Sequence, residues 1–254
     1  MYDKNMKELL TPKSIDFSIS DESCAYMPDK SARMNYKQVE VVSKVFATSV
    51  TQRGWRRYGR SFVHPTCFTC TACKSMRVGV KEYKYTKSQK KAIKRNEDTK
   101  IIVQEPTLTQ EHINLYNKYH SYKAKNDQWQ HEDISEEKYK SDFVEGAHDF
   151  GKEILYYRDD KLVCVDLVDI LYDGISSVHC YYDPEYLWYS LGTHSLLYEI
   201  KLAQELDLEW MYLGYWVEGY KAFDYKKNFQ PMEILEGFPR VFEKPMWKPW
   251  KGEE

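Results

Sequence analysis

The chain of 254 residues reads as an α+β protein. Three observations lead there. Its second half carries strand-like segments in quick succession, then a helix and one more strand. Ahead of them, residues 106–142 follow a helical pattern. The first part mixes a short helix and strands around a loop with cysteines at equal spacing, Cys67, Cys70 and Cys73. The length suffices for one large domain or two small ones with ample core.

The elements follow in order. Residues 36–53 are expected to be helical, because Val39, Val42, Val45 and Phe46 gather on one side. Residues 55–63 suit a strand. After the cysteine loop, residues 75–85 alternate like a strand through Met76, Val78 and Val80. Residues 88–96 read as a helix with Lys and Arg on most faces. In the middle stretch, Thr109 followed by Glu111 suits a helix start running beyond Tyr119. Residues 154–157 and 162–171 are strand-like, Asp173-Gly174 is a turn, and residues 176–182 form the next strand, closed by Asp183-Pro184. Ser190-Leu191-Gly192-Thr193 opens a helix, and residues 210–217 are another strand. The tail, 239–250, holds three prolines and two tryptophans and is expected to pack as extended chain. The order β-β-β-α-β is that of an acyltransferase-type mixed sheet. A subdomain over 1–105, with the cysteine loop and a basic segment, is expected to precede a catalytic subdomain over 106–254.

Charge is uneven. Residues 53–100 hold 14 basic side chains against three acidic ones, a net of +11 within a chain of −2. The chain as a whole therefore does not attract polyanions, but this segment does. No apolar run is long enough to span a membrane, and residues 1–10 are charged and lack a signal core. These features predict a cytoplasmic protein with no membrane partner. In that compartment the six cysteines are expected as ligands or core residues rather than disulfides. Thiols three residues apart can converge on one ion or cluster, so Cys67, Cys70 and Cys73 with Cys24 are candidate ligands of zinc or an iron–sulfur cluster. The alternative is a loop of reduced thiols. A ferredoxin spacing would need a fourth cysteine where Arg77 stands. Cys164 and Cys180 lie in strands and read as core.

Several segments together resemble a known family. Cys24-Ala25-Tyr26-Met27-Pro28 with Arg33 resembles the opening motif of the aminoacyl-tRNA–protein transferase family. Gly54-Trp55-Arg56-Arg57-Tyr58-Gly59 resembles its next motif, and His64 to Cys73 its cysteine loop. Ser88-Gln89-Lys90-Lys91 with Lys94-Arg95-Asn96 follows. Val168-Asp169-Ile170-Leu171, Asp173 to Val178 and Tyr182-Asp183-Pro184 come next in order. Ser190 to Thr193, Leu213 to Val217, and Tyr225-Lys226 with Phe229 and Pro231 complete the set. The resemblance spans roughly Cys24 to Pro231. The chain departs from the family pattern at Gln230, where a basic residue is usual, and over Gly219 to Phe223.

The resemblance implies transfer of an amino acid from aminoacyl-tRNA to a protein N-terminus. The bacterial branch moves leucine onto N-terminal Asp or Glu, marking the protein for N-end-rule degradation; the eukaryotic branch moves arginine. The short length and the three-cysteine loop fit the bacterial branch better. The implied catalytic half is an acetyltransferase-like (GNAT) fold. The partners are then aminoacyl-tRNA and proteins with N-terminal Asp or Glu, the transfer itself needs no cofactor, and the oligomeric state stays open.

The chemistry sets the requirements. The donor is an activated ester, and the acceptor is an α-amine of pKa about 7.7–8.0 that must lose a proton before it attacks. The site must hold the amine, take its proton and stabilise an oxyanion. No enzyme nucleophile is needed. Asp169, in an otherwise apolar strand and in the family motif, is the candidate for holding the amine; the alternative is that it starts the turn towards Asp173. Asp166, three residues earlier, is expected on the opposite face and structural. Arg33, Arg77 and Lys226 are candidates for gripping the acceptor's carboxylate, against solvated surface charges. Gly192 and Thr193 offer backbone N–H groups to the tRNA acceptor end, against a simple helix entry. Tyr215 and Trp216 alternate on a strand, so one is expected in the cleft and one in the core; they are candidates for stacking on the terminal adenine of tRNA, against core packing. Arg56, Arg57, Lys90, Lys91, Lys94 and Arg95 are expected on tRNA phosphates.

Three other functions compete. An arginyl-tRNA–protein transferase differs only in its donor. A small-molecule N-acetyltransferase would want a glycine-rich phosphate loop, where this chain has one glycine in Ser190 to Thr193. A non-enzymatic zinc-ribbon RNA-binding module explains the cysteines and the basic run but gives residues 168–231 no role.

Overall fold

A computed structural model describes residues 12–127 and 132–252. Residues 1–10, read above as lacking a signal core, lie outside the described residues. Among those described, no helix is long and apolar enough to cross a membrane.

The smaller of two sheets has four strands, β1 Ser14–Ser23, β2 Ser31–Val39, β3 Arg56–Tyr58 and β4 Ser61–Pro65, in the order β1-β2-β4-β3. Helix α1, Lys44–Thr51, starts at Ser43, whose hydroxyl accepts from the Phe46 N–H. The helix expected over 36–53 is therefore shorter, and residues 36–39 are strand, with Tyr36 opposite Val63. Val39 and Val42 share one core with Phe46, Val50 and Phe62, so a strand end and a helix start imitate one helical stripe. The strand expected over 55–63 is a hairpin. It turns at Gly59, which has φ 55° and where an added Cβ would lie 1.9 Å from the Ser141 carbonyl oxygen.

The larger sheet has eight strands. They are β5 Cys73–Gly79, β6 Lys100–Gln104, β7 Gly151–Arg158, β8 Lys161–Ile170, β9 Gly174–Tyr182, β10 Trp210–Val217, β11 Met232–Leu235 and β12 Trp247–Pro249. Their spatial order is β12-β11-β5-β10-β9-β8-β7-β6. Neighbours are antiparallel except β9 and β10, which are parallel, so the sheet is mixed. β5 and β6 come from the first 105 residues, so this sheet runs across the expected subdomain boundary. β5 ends at Gly79 rather than Tyr85, and β1 and β6 go beyond the elements expected from the sequence.

Alternation along the strands feeds two cores. Ile154 and Tyr156 face α2, Lys87–Arg95, and α5, Leu191–Glu205, with Val78, Val163, Leu196, Ile200 and Met211. Leu155, Val165, Leu167 and Tyr181 face the other way, against Ile113 and Tyr119 of α3, Gln110–Asp127, and Tyr139 of α4, Glu136–Tyr139. α4 continues into a π-helical turn, Lys140–Val144. The helical stretch expected over 106–142 is thus two helices. α2 begins with a capping box in which Thr86 and Gln89 satisfy each other's backbone N–H.

One buried ion pair joins the two sheets. The Arg57 guanidinium of β3 donates through Nε and Nη2 to both oxygens of Asp169 on β8, at 2.8 and 2.7 Å. Both side chains are 3% exposed. Asp169, expected to hold the acceptor amine, is instead buried with both oxygens on Arg57, and Arg57, expected on tRNA phosphate, is turned into the interior.

Removing one partner of such a pair strands the other charge in the interior. Arg57→Ala is expected to lower unfolding free energy by about 3–5 kcal/mol, read by equilibrium urea unfolding. A loss below about 1 kcal/mol, the level of an exposed pair, would show that Asp169 keeps water or another partner.

Candidate active-site cleft

Strands β9 and β10 pair over three positions only, Gly174 with Trp210, Ile175 with Met211 and Ser176 with Tyr212. Beyond these the two strands part. Backbone groups along a parting need other partners. Two cations supply them. The Arg56 Nη2 donates to the carbonyls of Ser177 and Val178 on β9, both at 2.9 Å. The Lys226 Nζ donates to the carbonyls of Leu213 and Tyr215 on β10, at 2.8 and 2.6 Å.

The gap opens into a cleft of about 920 Å³, lined among others by Arg56, Ser177, Cys180, Gly192, Tyr215 and Lys226. Room for the guanidinium comes from Gly214. It has φ 71° and sits at a register shift in β10, and a Cβ there would lie 1.4 Å from the Arg56 Nη1. The first turn of α5 closes one end. Ser190, Leu191, Gly192 and Thr193 line the cleft there; the Thr193 N–H donates to the Ser190 carbonyl at 3.0 Å, so the opening N–H groups left to the cleft are those of Leu191 and Gly192. The positive end of the helix dipole therefore meets the cleft. Gly192 packs closely, since a Cβ would fall 3.1 Å from the Tyr182 ring.

The electrostatics are those of a cation-bearing pocket. Burial pulls the Lys226 ammonium well below its ordinary range, and nearby Arg56 lowers it further while Glu199 acts against this. Burial also depresses His179, helped by His120 and Arg56, to about 3. His179 stacks on Phe143 at 5.5 Å and is a neutral wall rather than a proton carrier at neutral pH. Behind the cleft, burial raises Asp166 to about 7 and Glu199 well above the carboxylate range.

Of the residues singled out in the sequence, Arg56, Gly192, Thr193, Tyr215, Lys226 and Cys24 line the cleft. Tyr215 is anchored from the side, its hydroxyl donating to the Gly54 carbonyl at 2.8 Å. Trp216 turns to the core, and its Nε1 donates to Asp224 at 3.3 Å. Arg33 lies on β2 with its guanidinium over the Phe68 ring at 4.9 Å. Arg77 is clasped between Trp210 and Trp247, at 3.5 and 4.5 Å, and bonded to Glu233 at 2.8 and 2.6 Å. Neither Arg33 nor Arg77 lines the cleft, so of the three cations considered for the acceptor carboxylate the structure brings Lys226 alone to it. Arg56, read as a phosphate contact, belongs to the cleft as well.

Lys90, Lys91 and Lys94 are exposed on α2. Arg95 ends that helix against the cleft mouth. Its Nη1 donates to the Trp188 carbonyl at 2.9 Å and lies 3.4 Å from the Ser190 Oγ, and its guanidinium covers the Trp188 ring at 4.8 Å. Trp188 is 73% exposed. A basic, aromatic surface thus leads from α2 to the start of α5. Asp183 of the Asp-Pro motif is structural, held by Lys118 and Lys161 at 2.6 and 2.7 Å.

Cys24, Cys67, Cys70 and Cys73 all line one small cavity of about 20 Å³, with Pro65, Val217 and Phe238. Burial and the three neighbouring thiols push Cys73 up to about 12. Among the described residues no group of three or more His, Cys, Asp or Glu is set to hold a metal ion as the side chains stand. Cys164 and Cys180 are free, 3.7 Å apart, and Cys180 reaches the cleft.

Comparison with known proteins bears on the family rather than on the geometry of the cleft. A family model for the N terminus of arginine-tRNA-protein transferase matches residues 22–91, and one for its C terminus matches residues 111–236. The aspartate/glutamate leucyltransferase of Campylobacter jejuni is 43% identical over 229 residues, covering 90% of this chain and 96% of that protein. That of Helicobacter hepaticus is 37% identical over 238 residues, covering 94% and 99%. A solved structure of L-PGS from Bacillus licheniformis superposes with a TM-score of 0.41 at 12% identity, over 57% of this chain and 45% of that one, too loosely to bear on activity. With both family models matched in order and relatives at this identity over nearly their whole length, the chain belongs to the arginine-tRNA–protein transferase family, beside its aspartate/glutamate leucyltransferases.

Proposed function

We propose that this chain transfers leucine from leucyl-tRNA to the α-amine of proteins beginning with Asp or Glu, a mark for N-end-rule degradation in the cytoplasm. The observation that carries the reading is the cleft between β9 and β10, where two cations and a helix start converge in a chain whose relatives bear the leucyltransferase name. Parted parallel strands with a helix start beside the gap also favour the acetyltransferase-like assignment of the fold.

The roles follow from position. Lys226 and Arg56 attract the acceptor's side-chain carboxylate, and burial strengthens that attraction. Both are fixed by backbone carbonyls before substrate arrives, which limits the entropy lost on binding. The start of α5 offers N–H groups to the acceptor end of tRNA. Lys90, Lys91, Lys94 and Arg95 hold tRNA phosphates along α2, leading the acceptor arm past Trp188 into the cleft. Holding the ester and amine together supplies much of the rate.

The expected outcome of a transfer assay is labelled leucine on peptides starting with Asp or Glu, and none from arginyl-tRNA. Use of arginyl-tRNA alone would change the donor class, and transfer from neither would defeat the assignment.

Lys90→Ala with Lys91→Ala is expected to weaken binding of every tRNA alike, and to flatten the log–log dependence of affinity on salt by about 0.7–0.9 for each phosphate no longer neutralised. Filter binding across a salt series measures this. Unchanged affinity and slope would place the tRNA elsewhere.

Four thiols lining one cavity are a donor set that suits zinc or an iron–sulfur cluster. We infer that Cys24, Cys67, Cys70 and Cys73 take up such a group. It would tie the segment after β1 to the loop before β5, and no step of the transfer passes through it. Protein purified without oxygen should carry stoichiometric metal by elemental analysis, and Cys70→Ser should lose it. Metal-free protein with unchanged melting temperature on adding zinc or iron and sulfide would leave the thiols as a reduced loop.

A further inference from the structure

Two carboxyl groups lie behind the cleft, away from the surfaces assigned to either substrate. Asp166 of β8 and Glu199 of α5 are both fully buried. They lie within hydrogen-bonding reach of each other, yet both oxygens of Asp166 and the Oε2 of Glu199 have no donor directed at them. A proton held between the carboxyls is the donor that satisfies this geometry, as for any two carboxylates that share a dry site.

The pair is not sealed off from the cleft. The Ser177 hydroxyl donates to the Glu199 Oε1 at 3.1 Å, and Ser177 lines the cleft. The Ser177 carbonyl is held by Arg56, so the residue is fixed at both ends. The other titratable groups facing the pair are Tyr156 from β7, Cys164 from β8, Cys180 from β9, and Tyr225 and Lys226 from the segment after β10. Burial raises the tyrosines and Cys164, which leaves them protonated at neutral pH. Burial and Arg56 lower Lys226, while Glu199 acts against them.

We propose that Asp166 and Glu199 hold one proton between them at rest and take a second from the acceptor's α-ammonium through the Ser177 hydroxyl. The inference rests on the aminoacyl-transfer reading above. The ammonium gives a proton to the Ser177 Oγ, Ser177 passes its own to the Glu199 Oε1, and the proton on Oε2 moves to Asp166. The neutral amine then attacks the ester carbonyl carbon. The C–N bond forms, the C–O bond to the tRNA 3′-oxygen breaks, and the nitrogen's second proton leaves on that oxygen. The pair returns its extra proton to solvent. Charges balance: one ammonium and one ester give one amide, one free tRNA hydroxyl and one proton. Ser177 touches the substrate, and Glu199 and Asp166 act through it.

The test is the pH profile of kcat and kcat/KM for wild type, Glu199→Gln and Ser177→Ala, with leucyl-tRNA and a peptide starting with Asp. Both variants should lose roughly 10²-fold in kcat near neutral pH, within the usual range for proton transfer by a positioned group. KM should change little. The loss in kcat/KM should shrink as pH passes the free amine's pKa of about 7.7–8.0, because the substrate then arrives deprotonated. Ser177→Ala guards against a folding defect in Glu199→Gln, since it leaves both carboxyls in place. A loss of the same size at every pH, or full activity in Ser177→Ala, overturns the relay alone. Absence of transfer in the wild type overturns the proposed function and the relay with it.

Discussion

Two cations capping the carbonyls of two parted strands are the feature on which the rest of this molecule depends. Parallel pairing of β9 and β10 stops after three residues, and every backbone group exposed by the parting must find a partner or cost free energy. Arg56 takes the β9 side and Lys226 the β10 side. The gap between them is the cleft. Its walls are therefore set by hydrogen bonds within the chain itself.

That device explains the neighbouring residues. Adjacent residues on a strand point to opposite faces. Arg56 reaches the cleft, so Arg57 points inward, where Asp169 receives it. The ion pair fixes β3 against β8 and so aims Arg56. Gly214 has no side chain because the guanidinium occupies that space. The small sheet is thus part of the site, since it carries one of the two cations across to the large sheet.

The same geometry shows what the sequence can and cannot disclose. Ordered motifs identify the family, and the strand-helix-strand run from residue 162 to 217 is legible because its apolar pattern is locally complete. The pairing of Arg57 with Asp169 is not, because it spans 112 residues and no local pattern encodes it. Its place in a motif presents Asp169 as a substrate contact; a carboxylate in an apolar strand equally signals a buried partner. Arg56 falls among the phosphate contacts in the sequence because charge runs do not reveal which members turn inward. Glu199 is hidden within a helix whose neighbours Leu196, Leu197 and Ile200 make an ordinary core face. β6 is five residues long and lies at the sheet edge, too short to stand out.

The buried carboxyls also bear on stability, with a sign opposite to that of a salt-bridged acid. Asp166 is raised from 3.8 to about 7 by burial, so the folded chain binds a proton that the unfolded chain has released across that window. Its contribution is fully present below the unfolded value and is lost as pH rises through about 7. At neutral pH the fold therefore keeps an acidic pair where an apolar pair would be more stable. Nothing in the packing of β8 against α5 requires acids, because Val163, Val168, Leu196 and Ile200 fill the same layer. Outside the pair itself, the hydroxyl bonded to Glu199 is that of a cleft residue, Ser177. A cost carried at neutral pH and connected to the site through that hydroxyl is accounted for by chemistry in the cleft rather than by the stability of the core.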